Sequence, residues 1–400
     1  MMSGHTTPPV YLNAMGVLCA LGNGGGDVRA ALWRDDGPHG GEVTDRFTPG
    51  RPMHVGSLPS PPALPADMPP SQRTHGNAML LQALAQIRPQ AEAVSSRFGP
   101  RRVAVVLGTS TSGIREGGDA VRARLAQGRW PAAFDYAQQE LGSTAAFVAA
   151  QLGARGPAYT LSTACSSGAK ALAAAARLLN AGIADAVIAG AADSLCPFTI
   201  GGFSALEAVS AARTNPFSAH RAGINLGEGA ALFVLSREPG PVRLSGWGES
   251  SDAYHISAPE PEGKGAQQAM RQALARAGLA PAQIDYLNLH GTGTGHNDAM
   301  EARAVHAVLG ADVLSSSTKP MTGHALGAAG AIEAALLWLT LVDNAHGRLP
   351  PHWWDGVPDP ALPALQLVGP RDRLGRAARH AMSSSFAFGG SNCALILSAA

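Results

Sequence analysis

Between residues 158 and 179 the chain turns from strand into helix with a cysteine at the junction, a unit that ties it to alternating strand–helix architectures. Ala158-Tyr-Thr-Leu-Ser162 is alternating to apolar and reads as a buried strand. Ala169-Lys-Ala-Leu-Ala-Ala-Ala-Ala-Arg-Leu-Leu179 is rich in helix formers and has no β-branched residue. Cys165 lies between them, where the unpaired N–H groups of a helix start and the helix dipole favour an anion. A thiol there is expected to have a lowered pKa and to be a good nucleophile. A small buried cysteine would fit the same position, so other motifs must decide.

The pattern recurs along the chain. Strands are predicted over 10–21, 102–107, 186–189 and 230–235, with helices over 27–33, 77–87, 120–127 and 144–152. A Pro-Gly turn at 237–240 is the expected midpoint. Beyond it come strands over 242–248, 286–290, 313–317, 380–384 and 393–397, with helices over 265–277, 298–309 and 327–341. Residues 35–70, rich in Pro and Gly, read as a surface excursion. Alternation predicts parallel pairing in an α/β fold with helices on both faces. The two cycles suggest an internal duplication, with halves 1–237 and 238–400, although no repeat is visible residue by residue.

Composition narrows the function. Four hundred residues, 46% hydrophobic and 15% charged, can bury a sizeable core, and a net charge of +1 gives no reason to expect nucleic acid as a partner. No apolar run approaches the roughly 20 residues of a membrane span, and no secretory leader is read at the start. The four cysteines form no C-x-x-C pair and stand at no metal spacing with His, so no metal is expected. Cys19, Cys196 and Cys393 read as buried small residues. A reduced, cytoplasmic setting is expected.

Three further segments carry chemical side chains. His290-Gly-Thr-Gly-Thr-Gly-His-Asn-Asp298 follows a strand and precedes a helix, which places His290 at a strand's carboxyl end, where open α/β sheets bind ligands. Ser315-Ser-Ser-Thr-Lys-Pro-Met-Thr-Gly-His324 puts Lys319 and His324 at a second such turn. Ser385-Phe-Ala-Phe-Gly-Gly-Ser-Asn392 is a loop that allows close backbone approach to a ligand. The Gly-Thr-Gly-Thr turn lacks both a P-loop lysine and dinucleotide spacing.

Together with Thr163-Ala-Cys-Ser-Ser-Gly168, Asn215-Pro-Phe-Ser-Ala-His-Arg-Ala-Gly-Ile-Asn-Leu-Gly-Glu-Gly229 and Ser251-Asp-Ala-Tyr-His-Ile-Ser257, these segments resemble, in order, the β-ketoacyl-acyl-carrier-protein synthases with a Cys-His-His site. The resemblance spans nearly the whole chain. It implies a thiolase-like fold, five α-β-α-β-α layers from two related halves, and a homodimer or a heterodimer with a related subunit. It also implies an acyltransferase that condenses malonyl thioesters with an acyl chain held on Cys165. In that chemistry the N–H groups of Cys165 and Phe388 cradle the oxyanion. His290 and His324 serve as neutral donors to the enolate, His324 held neutral by the helix start beside it. Lys319 and Glu333 form a buried organising pair. Ser257, Thr292, Thr294 and Gly389 fall at positions that hold the phosphopantetheine arm of an acyl carrier protein, and Phe386 and Phe388 at the gate of the acyl pocket. No cofactor beyond that carried substrate is implied.

Some positions depart from the family. Arg221-Ala-Gly223 lacks an acidic residue common in relatives, Ser257 replaces a frequent Thr, and Gly293 and Gly295 stand where Ser and Pro are usual. Such changes put housekeeping fatty acid synthesis in doubt, and the stretches Asn225-Leu-Gly-Glu-Gly229 and Ser251-Asp-Ala-Tyr-His-Ile-Ser-Ala-Pro259 resemble more closely ketosynthases of specialised pathways, such as those of bacterial aryl polyenes. Arg73, Arg124, Arg129 and Arg213 are candidate contacts for an acidic carrier protein. A non-catalytic chain-length factor is the main alternative, and a degradative thiolase, which needs a second cysteine in its C-terminal loop, is a third reading.

Overall fold

The computed structural model describes residues 8–400. Its core strands are β1 (Tyr11–Cys19), β2 (Val103–Gly108), β3 (Ala158–Leu161), β4 (Ala186–Asp193), β5 (Gly229–Ser236), β6 (Val242–Ser251), β7 (Tyr286–Asn288), β8 (Leu314–Ser316), β9 (His380–Ala387) and β10 (Ser391–Ala399). The helices that cover them are α1 (His75–Phe98), α2 (Ser143–Leu152), α3 (Ser167–Asn180), α4 (Lys264–Ala277), α5 (Gly295–Leu309) and α6 (Ala329–Leu341).

The first five strands lie in the order β3-β2-β4-β5-β1 and the last five in the order β8-β7-β9-β10-β6. These are one order written twice. Pairing is only partly parallel. β3, β2 and β4 run parallel, as do β8, β7 and β9, but the outer pairs of each half are antiparallel. For β9 and β10 the cause is the three-residue turn Phe388–Gly390, too short for a parallel crossover. The halves also join edge to edge, because β1 pairs with β6 through Tyr11 and Leu12.

Helices α1 and α2 cover one outer face, α4 and α5 the other, and α3 and α6 fill the space between the sheets. Sequence explains the middle layer. Every residue of α6 is buried, as expected of a helix apolar all round. Helix α3 buries Ala171, Leu172, Ala173, Ala174, Ala175 and Ala176, whose small side chains allow close packing on a sheet. Contact between the two helices is tighter still at Gly168, where a Cβ would stand 2.8 Å from the backbone nitrogen of Ala331.

Two expectations needed correction. Helix α1 does not end near Ile87 but runs through the exposed Pro89 to Phe98, started by the Thr74 hydroxyl, which accepts from the Asn77 N–H. The stretch 35–70 is not wholly superficial. It forms a ribbon, Glu42–Thr44 with Met53–Val55, that packs Phe47, Met53 and Val55 against Leu195, Ile200, Ile224, Leu226 and Leu326. Among the described residues no helix is long and apolar enough to cross a membrane.

Replacing Gly168 with Ala should force the central helices apart and destabilise the protein by about 1–3 kcal/mol. Gly202→Ala, on an exposed helix where a Cβ meets nothing within 4 Å, should be neutral or mildly stabilising. Urea unfolding midpoints of the two variants check the contrast.

Candidate active site

Cys165 is presented by a strained elbow between β3 and α3. Ala164 just before it has φ of 50°, a left-handed conformation that a residue with a side chain adopts at a cost. The turn is held because the Ala164 carbonyl accepts from the Ser167 N–H at 3.1 Å and hydroxyl at 2.6 Å, and from the Ser110 hydroxyl at 3.2 Å. Asp193, at the end of β4, braces it from behind. Its carboxylate accepts from the Thr109 and Thr111 hydroxyls and from the N–H groups of Ser110, Thr111 and, across the halves, Gly327 at 2.6 Å.

The histidines arrive from the second half. His290 follows β7, and its loop is fastened by two acids on the buried face of α5. Glu301 accepts the N–H groups of His290 at 2.6 Å and Gly291 at 2.7 Å, while Asp298 accepts those of Gly293 at 3.1 Å and Phe217 at 2.8 Å. Burial pushes the Glu301 carboxyl up to about 8 and that of Asp298 to about 6. His324 follows the short helix Lys319–Thr322, and its N–H donates to the Asn225 carbonyl at 2.7 Å. Nε2 of His324 stands 2.9 Å from Sγ of Cys165, and the two imidazoles meet edge to face with centroids 5.2 Å apart. One ligand atom from each of Cys165, His290 and His324 lies within 4.8 Å of the others, so all three can touch one small molecule. The same trio is a possible metal ligand set that no sequence spacing announced. A soft cation such as Zn2+ bound there would occupy the sulfur and block it as a nucleophile.

The electrostatics depart from the sequence reading at Cys165. Burial pushes its thiol up to about 12, with the Lys319 charge and the Phe388 N–H, which faces the sulfur, pulling the other way. The helix start is outweighed at Cys165, because the elbow buries the sulfur and desolvation favours the neutral thiol. Both imidazoles are held well below the usual histidine range, by burial first and then by Lys319, so they are neutral as expected. The cause differs for His324, since α6 begins only at Ala329. Lys319 and Glu333 are buried together, Nζ to Oε1 at 2.5 Å. His352 supports this corner in a fixed tautomer. Its Nδ1 accepts the Ser317 N–H at 3.0 Å and its Nε2 donates to the Pro216 carbonyl at 3.0 Å.

A cavity of about 350 Å3 opens onto the trio, and Ser257, Thr292, Thr294, Phe386 and Phe388 line it. The two Thr hydroxyls lie 2.9 Å apart. Phe386 is buried edge-on to His290, whereas Phe388 is 38% exposed and leans on Phe203. Gly389 sits outside the cavity wall, with φ of 78° and its N–H donated to the Ile256 carbonyl at 2.7 Å. The acid absent beside Arg221 comes from elsewhere in the chain, as Asp359 Oδ2 accepts from Arg221 at 2.6 Å. Of the four candidate docking cations, Arg73 and Arg213 donate to backbone carbonyls of their own chain, while Arg124 and Arg129 are exposed. Sequence reasoning missed Asp193, Asp298, Glu301 and His352. Only the i, i+3 spacing of Asp298 and Glu301 in the first two turns of α5, just after the His290 motif, hinted at two of them.

Comparison with known proteins agrees with this geometry. Residues 67–239 match the family described as beta-ketoacyl synthase, N-terminal domain, and residues 242–353 match its C-terminal domain. A stretch of 262 residues is 39% identical to 3-oxoacyl-[acyl-carrier-protein] synthase 2 of Rhizobium meliloti, covering 61% of this chain and 61% of that protein. A chain of the complex between the ketosynthase ApeO and its chain length factor ApeC from Xenorhabdus doucetiae superposes with a TM-score of 0.91 at 42% identity, covering 100% of both chains. A beta-ketoacyl synthase from Burkholderia phymatum superposes with a TM-score of 0.84 at 28% identity, over 98% of this chain and 100% of that one.

Two stability measurements test the buried charges. Lys319→Met, which strands Glu333, should cost about 3–5 kcal/mol, and adding Glu333→Leu should recover most of it. His352 is pushed down to about 4 by burial, so below its unfolded value near 6.5 the unfolded chain binds the proton first. Stability should therefore fall as pH drops from 6.5 to 4, by about 1.4 kcal/mol per unit for this residue. His352→Gln should shallow that slope in denaturation curves taken across the range.

Proposed function

We propose, for a chain that belongs to the β-ketoacyl synthase family, the activity of a β-ketoacyl-acyl-carrier-protein synthase. The observation that carries this reading is the convergence of Cys165, His290 and His324 within 4.8 Å, with the Phe388 N–H facing the sulfur. In the first half-reaction the Cys165 thiol passes its proton to Nε2 of the neutral His324 as sulfur attacks the acyl thioester. The oxyanion lies between the N–H groups of Cys165 and Phe388, and the proton leaves with the departing pantetheine thiol. In the second, a malonyl thioester bound along Ser257, Thr292 and Thr294 loses CO2. Its enolate oxygen takes hydrogen bonds from His290 and from His324, once the His324 ring proton has exchanged from Nδ1 to Nε2, and its carbon attacks the acyl-Cys165 carbonyl. Breaking the carbon–sulfur bond releases the β-ketoacyl carrier protein, two carbons longer, and returns the sulfur for reprotonation. Lys319, paired with Glu333, keeps both rings uncharged, and Phe388 gates the cavity.

The same reading places the chain in the cytoplasm, divides it into related halves 1–237 and 238–400, and requires no cofactor beyond the carried phosphopantetheine. The likeness to a chain of a ketosynthase–chain-length-factor complex supports a heterodimer with such a subunit, and the sequence of the 225–229 and 251–259 stretches favours a specialised pathway of the aryl polyene kind. A chain-length-factor role for this chain is disfavoured by the nucleophile on its elbow. A degradative thiolase is disfavoured because Cys393 is buried in β10 and lines no part of the cavity.

Intact-protein mass spectrometry after mixing with acyl carrier protein should show one acyl group on the wild type and none on Cys165→Ala. His324→Ala should slow acylation by roughly a hundredfold or more. An unmodified wild type, or condensation that persists with Cys165→Ala, would refute the assignment.

A further inference from the structure

Lys170 carries a charge that the scheme above does not use. It lies half-buried in the first turns of α3, and its Nζ donates to the Ser391 hydroxyl oxygen at 2.6 Å. An ammonium has donors and no acceptor, so this bond has one direction only. With its oxygen accepting from Lys170, Ser391 turns its own proton toward Ser166 Oγ, 3.0 Å away. Ser166 accepts that bond and donates onward to the Thr163 carbonyl at 2.8 Å. The cation therefore orients a relay of hydroxyls from α3 to the turn that carries Cys165.

The relay joins the two places that supply the oxyanion donors. Thr163 and Ser166 bracket the Cys165 elbow. Ser391 begins β10 at the end of the Phe388–Gly390 turn, whose Phe388 N–H faces the sulfur. The Ser166–Ser391 bond is thus a direct strut between the nucleophile loop of the first half and the glycine turn of the second. We propose that Lys170 is a positioning residue that, through Ser391 and Ser166, fixes the spacing of the Cys165 and Phe388 N–H donors around the thioester oxyanion. This rests on the ketosynthase reading.

The test compares two reactions at the same sulfur in the purified full-length protein. Acylation by an octanoyl carrier protein passes through an oxyanion. Alkylation by iodoacetamide is a displacement at a saturated carbon and does not. Lys170→Met should lower the acylation kcat by roughly ten- to a hundredfold with KM unchanged. It should leave the alkylation rate within about twofold, since misplaced donors, not a misplaced thiol, are at fault. Ser391→Ala should give a similar loss, the double variant should be no worse than either, and Lys170→Arg, also donor-only, should restore most of the rate. Wild-type acylation rates in Lys170→Met or in Ser391→Ala, equal loss of both reactions, or losses that multiply in the double variant would overturn the proposal. A wild type that alkylates but never acylates would instead overturn the ketosynthase reading beneath it.

Discussion

The two central helices touch backbone to backbone, and the arrangement of the site follows from that contact. At Gly168 and Gly330 a Cβ on either helix would lie within 2.9 Å of the other's main chain. Each helix follows the third strand of its half, and each is entered through a functional loop, Cys165 before α3 and Lys319 to His324 before α6. Because both halves use one strand order, the two loops emerge at the same end of the middle layer. Asp193 then ties them directly by accepting the Gly327 N–H beside the bonds that hold the first loop. Separation of the helices by even one methyl layer would move the sulfur away from its imidazole partner.

Dryness is the second determinant. A buried site of this kind disfavours every charge in it, and the groups respond in opposite directions. The Cys165 thiol and the acids Glu301 and Glu333 are pushed up, while His290 and His324 are pushed down. Cys165, Glu301 and both imidazoles are therefore biased to their neutral forms, the state in which an imidazole can take a thiol proton or donate to an enolate, while at Glu333 the Lys319 ammonium opposes the rise. The Lys319–Glu333 pair is a buried charge separation placed against them.

Much of this was legible from residues alone. The strand–Cys165–helix unit and the strand that leads to His290 carry local patterns that survive folding, whereas the Lys319–Glu333 pair was legible only through the family resemblance. The relation between halves was legible only as rhythm, because topology can be preserved while side chains diverge. What stayed hidden depended on distance in sequence. Arg221 finds its acid in Asp359, His352 reaches back to Pro216, and Glu301 fastens a loop eleven residues earlier from inside a helix that reads simply as amphipathic. The misjudged thiol had a different cause. A helix start was visible in the sequence, but the solvent exclusion that outweighs it was not.

Edge pairing between the halves also shapes how the chain can acquire its structure. Apart from a two-residue pairing with Gly22–Asn23, the partners of β1 are β5 and β6, far along the chain, with Tyr11 opposite Ser236 and Arg243. On a ribosome most of this largely apolar strand must wait for those partners until β5 and β6 have emerged. Such non-local closure makes for slow maturation and leaves a sticky strand exposed meanwhile, a natural substrate for holding chaperones.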